Sequence, residues 1–96
     1  MNGKARRHLR GLGHHLDPIV RVGQGGITEG VIRAAKAALL DHELIKVRVR
    51  EAPDHQKVVA AQLAEACGAE VVQVLGKTFL LYQAHPEEPK IELPSP

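Results

Sequence analysis

The spacing of apolar residues predicts two helices in the first half of the chain. Between residues 4 and 16, apolar side chains recur every three or four positions, which places them on one face of a helix. These positions are Ala5, Leu9, Leu12 and Leu16. Residues 27–41 repeat the pattern, with Thr28 suited to the N-cap and Glu29 to the positive end of the helix dipole. The residues expected to be buried on this second helix are Val31, Ile32, Ala35, Ala38 and Leu39.

A third helix is predicted from Pro53 to Cys67. Proline is favoured in the first turn of a helix because a backbone N–H at that position would have no partner within the helix. Gly68 is placed to end the helix. The inner face of this helix is expected to comprise Val59, Leu63 and Ala66. Cys67, at the end of an alanine-rich apolar stretch, is expected to be a small buried side chain and not a reactive thiol.

Four strands are predicted at residues 19–22, 44–50, 70–75 and 78–82. The second has the clearest pattern, because after Leu44 residues 45–50 alternate strictly between β-branched and basic side chains. One face carries Ile45, Val47 and Val49, and the other carries Lys46, Arg48 and Arg50. This alternation indicates a strand that is buried on one side only. Between the last two strands, Gly76 and Lys77 fit a two-residue hairpin with a type II′ turn.

The predicted element order is α-β-α-β-α-β-β, which indicates the α/β class. Alternating helices and strands favour right-handed crossovers and a mostly parallel sheet, here closed by one antiparallel hairpin. With 96 residues the chain has room for one domain, which we assign to residues 1–83. Residues 84–96 are rich in proline and glutamate and are expected to form an extended or disordered tail.

Composition excludes several functional classes. A single cysteine cannot form a disulfide framework within the chain, and no apolar run is long enough to cross a membrane. The basic N-terminal residues are not followed by the apolar segment of a signal peptide, so a cytoplasmic protein is expected. One Phe and one Tyr are too few for the aromatic platforms on which many RNA-binding domains stack bases.

Charge is distributed unevenly along the chain. Residues 1–50 contain ten Lys or Arg and four acidic residues, a net charge of +6, whereas residues 51–96 have a net charge of −4. Such segregation is typical of a surface that faces a polyanion, although basic residues can also simply solvate exposed faces.

A glycine-rich loop follows the first predicted strand and is the strongest candidate for a binding site. Its residues are Gly23, Gln24, Gly25 and Gly26. The loop matches neither a Walker nor a Rossmann motif, but it has the G-x-x-G pattern with which KH domains clamp a nucleotide backbone. An ordinary turn is the alternative. The polar residues that could converge near the loop to bind RNA are Lys4, Arg6, Arg7, Arg10, His14, Arg21, Lys46 and Arg48.

Metal binding and catalysis find little support in the sequence. His14 and His15 are adjacent, so on a helix they point about 100° apart and rarely share one metal ion. No Ser/His/Asp set or carboxylate pair suggests an active site, since Ser95 in the tail is the only serine. We therefore expect no metal, no cofactor, no small-molecule substrate and no enzymatic activity.

Five segments of the chain together form a recognisable pattern. They are HHLDPIV (14–20), VGQGGITEGV (22–31), HELIKV (42–47), VQVLGK (72–77) and LLY (80–82). In combination they resemble the CRM domain family (chloroplast RNA splicing and ribosome maturation), and a copy of this size is similar to stand-alone bacterial YhbY-type proteins. The chain departs from the family at Gln24 and Gly25, where many relatives have lysine or asparagine, and at Gln83, where arginine is usual.

The resemblance implies a four-stranded mixed sheet packed with helices, similar to the C-terminal domain of translation initiation factor three. It also implies RNA binding, and for the bacterial members association with precursors of the large ribosomal subunit (pre-50S). We therefore expect a monomer that binds ribosomal RNA through the glycine loop and a basic face. The alternative is a protein-interaction module of the ribosome or another assembly, contacting its partner through the acidic second half or the tail.

Overall fold

The computed structural model describes residues 1–50 and 55–95, which form three helices and four strands. In chain order they are α1 (Gly3–Gly13), β1 (Pro18–Val22), α2 (Glu29–His42), β2 (Leu44–Val49), α3 (Gln56–Cys67), β3 (Glu70–Leu75) and β4 (Thr78–Tyr82). The predicted order of elements is confirmed. The expected helix start at Pro53 lies outside the described residues.

The four strands form one mixed sheet in the order β1-β2-β4-β3. β1 and β2 are parallel, and β4 is antiparallel to both β2 and β3. The sheet is mixed, and the expectation that most of its pairing is parallel is wrong, because β4 lies between β2 and β3 and separates these two strands. The hairpin turn between β3 and β4 has φ 59° at Gly76, and Lys77 is not in the left-handed region, which agrees with the predicted type II′ turn. This strand order places β1 and β3 at the two edges of the sheet.

Helices α2 and α3 cover one face of the sheet and bury the larger core. The alternation of β2 directs Ile45, Val47 and Val49 into this core, as predicted. Thr28 caps α2, since its Oγ1 accepts from the Val31 N–H at 3.2 Å. In α3 the buried face is shifted from the prediction. Leu63 is buried but Ala66 is exposed, and the helix instead packs through Ala60, Ala64 and Cys67.

Helix α1 lies on the opposite face of the sheet over a smaller core. That core comprises Leu9, Leu44, Val72, Leu80 and Tyr82. The helix packs so closely against β4 that a Cβ added at Gly13 would clash with the side chain of Leu80. Leu12 and Leu16, which continue the predicted apolar spacing, are 44% and 36% exposed, and Leu16 lies beyond the end of the helix. The helix ends at Gly13, and the residues that face the sheet are Ala5, Leu9 and Gly13, spaced four apart.

The segment after β4 contains no helix or strand up to residue 95, yet it is held against the domain. Its anchor is Glu43, which is buried and has φ 63°. The Glu43 carboxylate accepts backbone hydrogen bonds from His85 at 2.7 Å and from Lys90 and Ile91 at 2.8 Å each. Ile91 packs on the smaller core. The described part of the tail is thus irregular in conformation but fixed in place.

Candidate nucleic-acid interface

The part of the sheet that α1 leaves uncovered carries a row of basic side chains. We call Arg21, Lys46, Arg48 and Arg50 the basic strip. Arg21 of β1 is the register partner of Arg48 of β2, so the two side chains lie next to each other on adjacent strands. Residues two apart on one strand are separated by about 7 Å on the same face, so Lys46 and Arg48 continue the strip along β2, and Arg50 directly follows the end of this strand. All three arginines are exposed.

One end of the basic strip reaches the glycine loop. A cleft of about 390 Å³ is lined there by Arg21, Val22, Gly23, Arg48 and Arg50. The strands hold these side chains together, since the Arg50 N–H donates to the Val22 carbonyl at 2.9 Å beyond the end of β2. Guanidinium groups pair with phosphate through two parallel hydrogen bonds, so this cleft has the chemistry of an anion site.

The glycine loop forms a tight turn between β1 and α2. The Gly26 N–H donates to the Gly23 carbonyl at 3.1 Å, which closes a four-residue turn. Gly26 has φ 70° and therefore needs glycine for conformational reasons. Gly23 and Gly25 are not in the left-handed region, and an added Cβ would meet nothing at Gly23 and only Thr28 Cγ2, at 3.6 Å, at Gly25. Their lack of side chains leaves the backbone open to a ligand without being required by the turn.

The end of α1 reaches the other end of the basic strip. The Lys46 Nζ donates to the His14 carbonyl at 3.4 Å, so the residue that follows α1 lies beside β2. Arg10 and Arg6 precede His14 by one and two turns on the same side of the helix axis. Arg10 and His14 are exposed. The structure therefore groups His14 with the basic strip and leaves Arg10 one helical turn away.

Arg6 is committed to a structural contact. Its Nη1 donates to the carbonyls of Val71 at 2.6 Å and Val72 at 3.1 Å, where the pairing of β3 with β4 is irregular. This side chain is half-buried against β3. β3 and β1 are at opposite edges, about 14 Å apart for three strand spacings, so Arg6 lies away from Arg21 and the loop.

The remaining predicted residues are exposed. Lys4 and Arg7 lie on α1, and Gln24 lies at the tip of the glycine loop. Arg50 belongs to the cleft but was not among the predicted site residues. Its alternation with Lys46 and Arg48 is the signal that could have identified it.

Other reactive groups are sparse within residues 1–50 and 55–95. No three His, Cys, Asp or Glu side chains in this part of the chain form a group that could hold a metal ion. Cys67 is buried, and burial raises the pKa of its thiol despite the positive charge of Lys36. A raised pKa disfavours the reactive thiolate. None of the helices in the described ranges has the length and apolar character needed to cross a membrane.

Comparison with known families identifies the domain. Residues 1–83 match the model of the CRS1 / YhbY (CRM) domain. The chain belongs to the CRM domain family. This span includes all seven helices and strands described above, so the basic strip and the glycine loop are both part of the CRM domain.

Individual relatives match along nearly the whole chain. The “Probable RNA-binding protein YqeI” of Bacillus subtilis is 40% identical over 95 residues, covering 98% of this chain and 99% of the relative. An “RNA-binding protein” of Haemophilus influenzae is 42% identical over 96 residues, covering 98% and 95%. The solution structure of a hypothetical Staphylococcus aureus protein, described as a candidate RNA-binding protein, superposes with a TM-score of 0.86. It is 42% identical, with 98% of this chain and 99% of that chain covered.

Proposed function

We propose that this CRM domain is a non-enzymatic RNA-binding protein that acts on ribosomal RNA of large-subunit precursors in the cytoplasm, as a monomer. The observation that carries the proposal is the cleft in which Arg21, Arg48 and Arg50 converge beside Gly23. The names of the relatives from Bacillus subtilis and Haemophilus influenzae support RNA as the ligand.

In the proposed mechanism, the basic strip holds the phosphate backbone while the glycine loop permits close approach. The guanidinium groups of Arg21 and Arg48 would each donate two hydrogen bonds to two oxygens of one phosphate group. Lys46 would add a positive charge beside the end of α1. The unobstructed backbone at Gly23 and Gly25 would let the RNA chain pass close to the loop. Binding would depend on salt, because each phosphate contact releases condensed counterions.

Equilibrium binding at several salt concentrations tests the basic strip. We expect Arg48→Ala and Arg21→Ala each to weaken binding to a ribosomal RNA fragment. In a plot of log affinity against log salt, the slope for single-stranded RNA should also become less negative by about 0.7 in each variant. Arg33→Ala is the matched control, because Arg33 is exposed on α2, on the opposite side of the sheet. Equal effects of all three substitutions would mean that the net charge matters and the strip does not.

Sedimentation of the tagged chain in cell lysate tests the ribosomal part of the proposal. We expect it to migrate with particles lighter than the mature large subunit and to leave them after ribonuclease treatment. Comigration that survives ribonuclease would favour the protein-interaction module instead. A chain that remains at the top of the gradient would contradict the ribosomal role.

A further inference from the structure

A second, larger cleft opens at the other end of the basic strip. It has a volume of about 470 Å³, within the range of about 300–1,000 Å³ usual for small-molecule sites. It lies between the end of α1, the start of β1 and the tail. The residues that line it are Leu12, Leu16, Asp17, Ile19, His42, Leu44, Ile45, Lys46 and Ile91.

The walls of this cleft are aliphatic side chains that the fold leaves in contact with water. Leu12 is 44% exposed, Leu16 is 36% exposed and Ile19 is 53% exposed. These three partly exposed apolar side chains line one cleft. Ile91 completes the walls and is held there because its N–H donates to the buried Glu43 carboxylate. The tail is therefore part of the construction of the cleft.

Two charged groups of opposite sign line the same cleft. Lys46 belongs to the basic strip and also lines this cleft, so the cleft opens directly off the strip. Asp17 is an exposed carboxylate in a half of the chain that is otherwise strongly basic. A carboxylate repels phosphate, so this cleft is not suited to the RNA backbone. It is suited to a group that is mostly apolar and able to donate hydrogen bonds at its edge.

We propose that this cleft binds one unstacked guanine base of the RNA held by the basic strip, an inference that rests on the proposed function. Guanine presents two adjacent donors, N1–H and N2–H, which match the two oxygens of the Asp17 carboxylate. Its O6 is an acceptor for the ammonium group of Lys46. Leu16 and Ile19 would cover the faces of the base, a role that aromatic side chains have in other RNA-binding domains.

The same chemistry ranks the other bases. Uracil offers a single donor, N3–H, flanked by two carbonyl oxygens, so it can meet Asp17 through only one hydrogen bond. Adenine and cytosine place a ring-nitrogen acceptor beside their amino group, and this acceptor would face the carboxylate. We therefore expect affinity to follow the order guanine, then uracil, then adenine and cytosine.

The test uses the full chain and fluorescein-labelled heptauridine whose central base is uracil, guanine, adenine or cytosine. We expect the guanine oligomer to bind about tenfold more tightly than heptauridine, as for one well-matched base contact. Leu16→Gln and Ile19→Thr should abolish this preference and leave the salt slope unchanged. Leu40→Gln is the matched control, because Leu40 is exposed to the same degree as Ile19, 53%, but lies on α2. It should retain the preference.

Asp17→Asn separates base recognition from a structural role. Removal of a negative charge should strengthen binding to heptauridine, while the preference for guanine falls. A preference for guanine that persists in Ile19→Thr and Asp17→Asn would overturn the assignment, as would equal affinity of the parent for all four oligomers. Retained salt-dependent binding in those cases would leave the proposed function intact. A parent that binds none of the oligomers, nor a ribosomal RNA fragment, would contradict both proposals.

Discussion

Glu43→Gln is the substitution that most directly tests how the tail is attached to the domain. In the native chain one carboxylate oxygen accepts the N–H groups of Lys90 and Ile91, and the other accepts the N–H of His85. Glutamine has nearly the same shape but only one acceptor oxygen. Its amide NH₂ would face at least one backbone N–H, so that two donors oppose each other.

The expected cost follows from the number and kind of hydrogen bonds. A hydrogen bond to a charged acceptor contributes about 1.5–3 kcal/mol, and at least one of the three is lost outright. Because the released tail can bind water, we expect Glu43→Gln to lower the free energy of unfolding by about 2 kcal/mol. Both variants keep the positive φ of 63° at this position, so backbone strain cancels in the comparison.

The pH dependence of this difference has a defined sign. Burial acts to raise the pKa of the Glu43 carboxyl but is outweighed by the N–H groups of His85, Ile91 and Lys90, so the pKa lies below its ordinary value. A depressed pKa means that the stabilisation is fully present above about pH 4.3, the ordinary value for glutamate. It is lost as the pH falls through the folded-state pKa, where the native side chain also becomes neutral.

Urea unfolding of both chains at several pH values measures this effect. We expect the difference in unfolding free energy to be largest near pH 7 and to shrink as the pH falls below 4. Hydrogen exchange at Lys90 and Ile91 should accelerate in Glu43→Gln before global unfolding. A difference that does not change with pH, or unchanged exchange at these amides, would refute the assignment of the carboxylate as the anchor.

Two further predictions concern the glycine loop and α1. Gly25→Asp should weaken RNA binding about fivefold, since one added charge near a phosphate costs about 1 kcal/mol, and the thermal unfolding curve should stay nearly unchanged. Gly26→Asp forces a side chain into a backbone with φ 70° and should therefore also lower the free energy of unfolding by about 1–2 kcal/mol. A similar loss of stability in Gly25→Asp would show that both glycines are structural. Arg6→Ala should lower the free energy of unfolding by about 1.5–3 kcal/mol because it leaves two backbone carbonyls without their charged donor, whereas Arg7→Ala should change it by less than about 0.5 kcal/mol. Chemical denaturation of the two variants checks this, and equal stabilities would contradict the structural role of Arg6.

The local features of this chain could be predicted because they depend on neighbouring residues. The N-cap at Thr28 follows from residues one turn away, and its bond to the Val31 N–H confirms it. The alternation along β2 is a property of the pleat and was sufficient to separate the buried residues from Lys46 and Arg48. The left-handed Gly68 at the end of α3 was recognisable for the same reason.

The failures of prediction occur where the partner is distant in sequence. Leu12 and Leu16 continue the apolar spacing of α1, so periodicity alone assigns them to the core. The close packing of Gly13 on Leu80 decides which side of the helix faces the sheet. The sequence does not distinguish Arg6 from a solvent-exposed arginine, because the Val71 carbonyl to which it donates lies 65 residues away on β3.

Local patterns in the chain were sufficient to predict the seven helices and strands, their order and the basic character of one face of β2, because the periods of helices and strands involve residues close together in sequence. They did not predict that Arg21 lies beside Arg48, that Glu43 holds the tail, or that an apolar cleft opens next to Lys46. Each of these depends on strand order or on contacts between segments that are far apart along the chain. Such contacts are selected by the packing of the whole domain, and no local pattern encodes them.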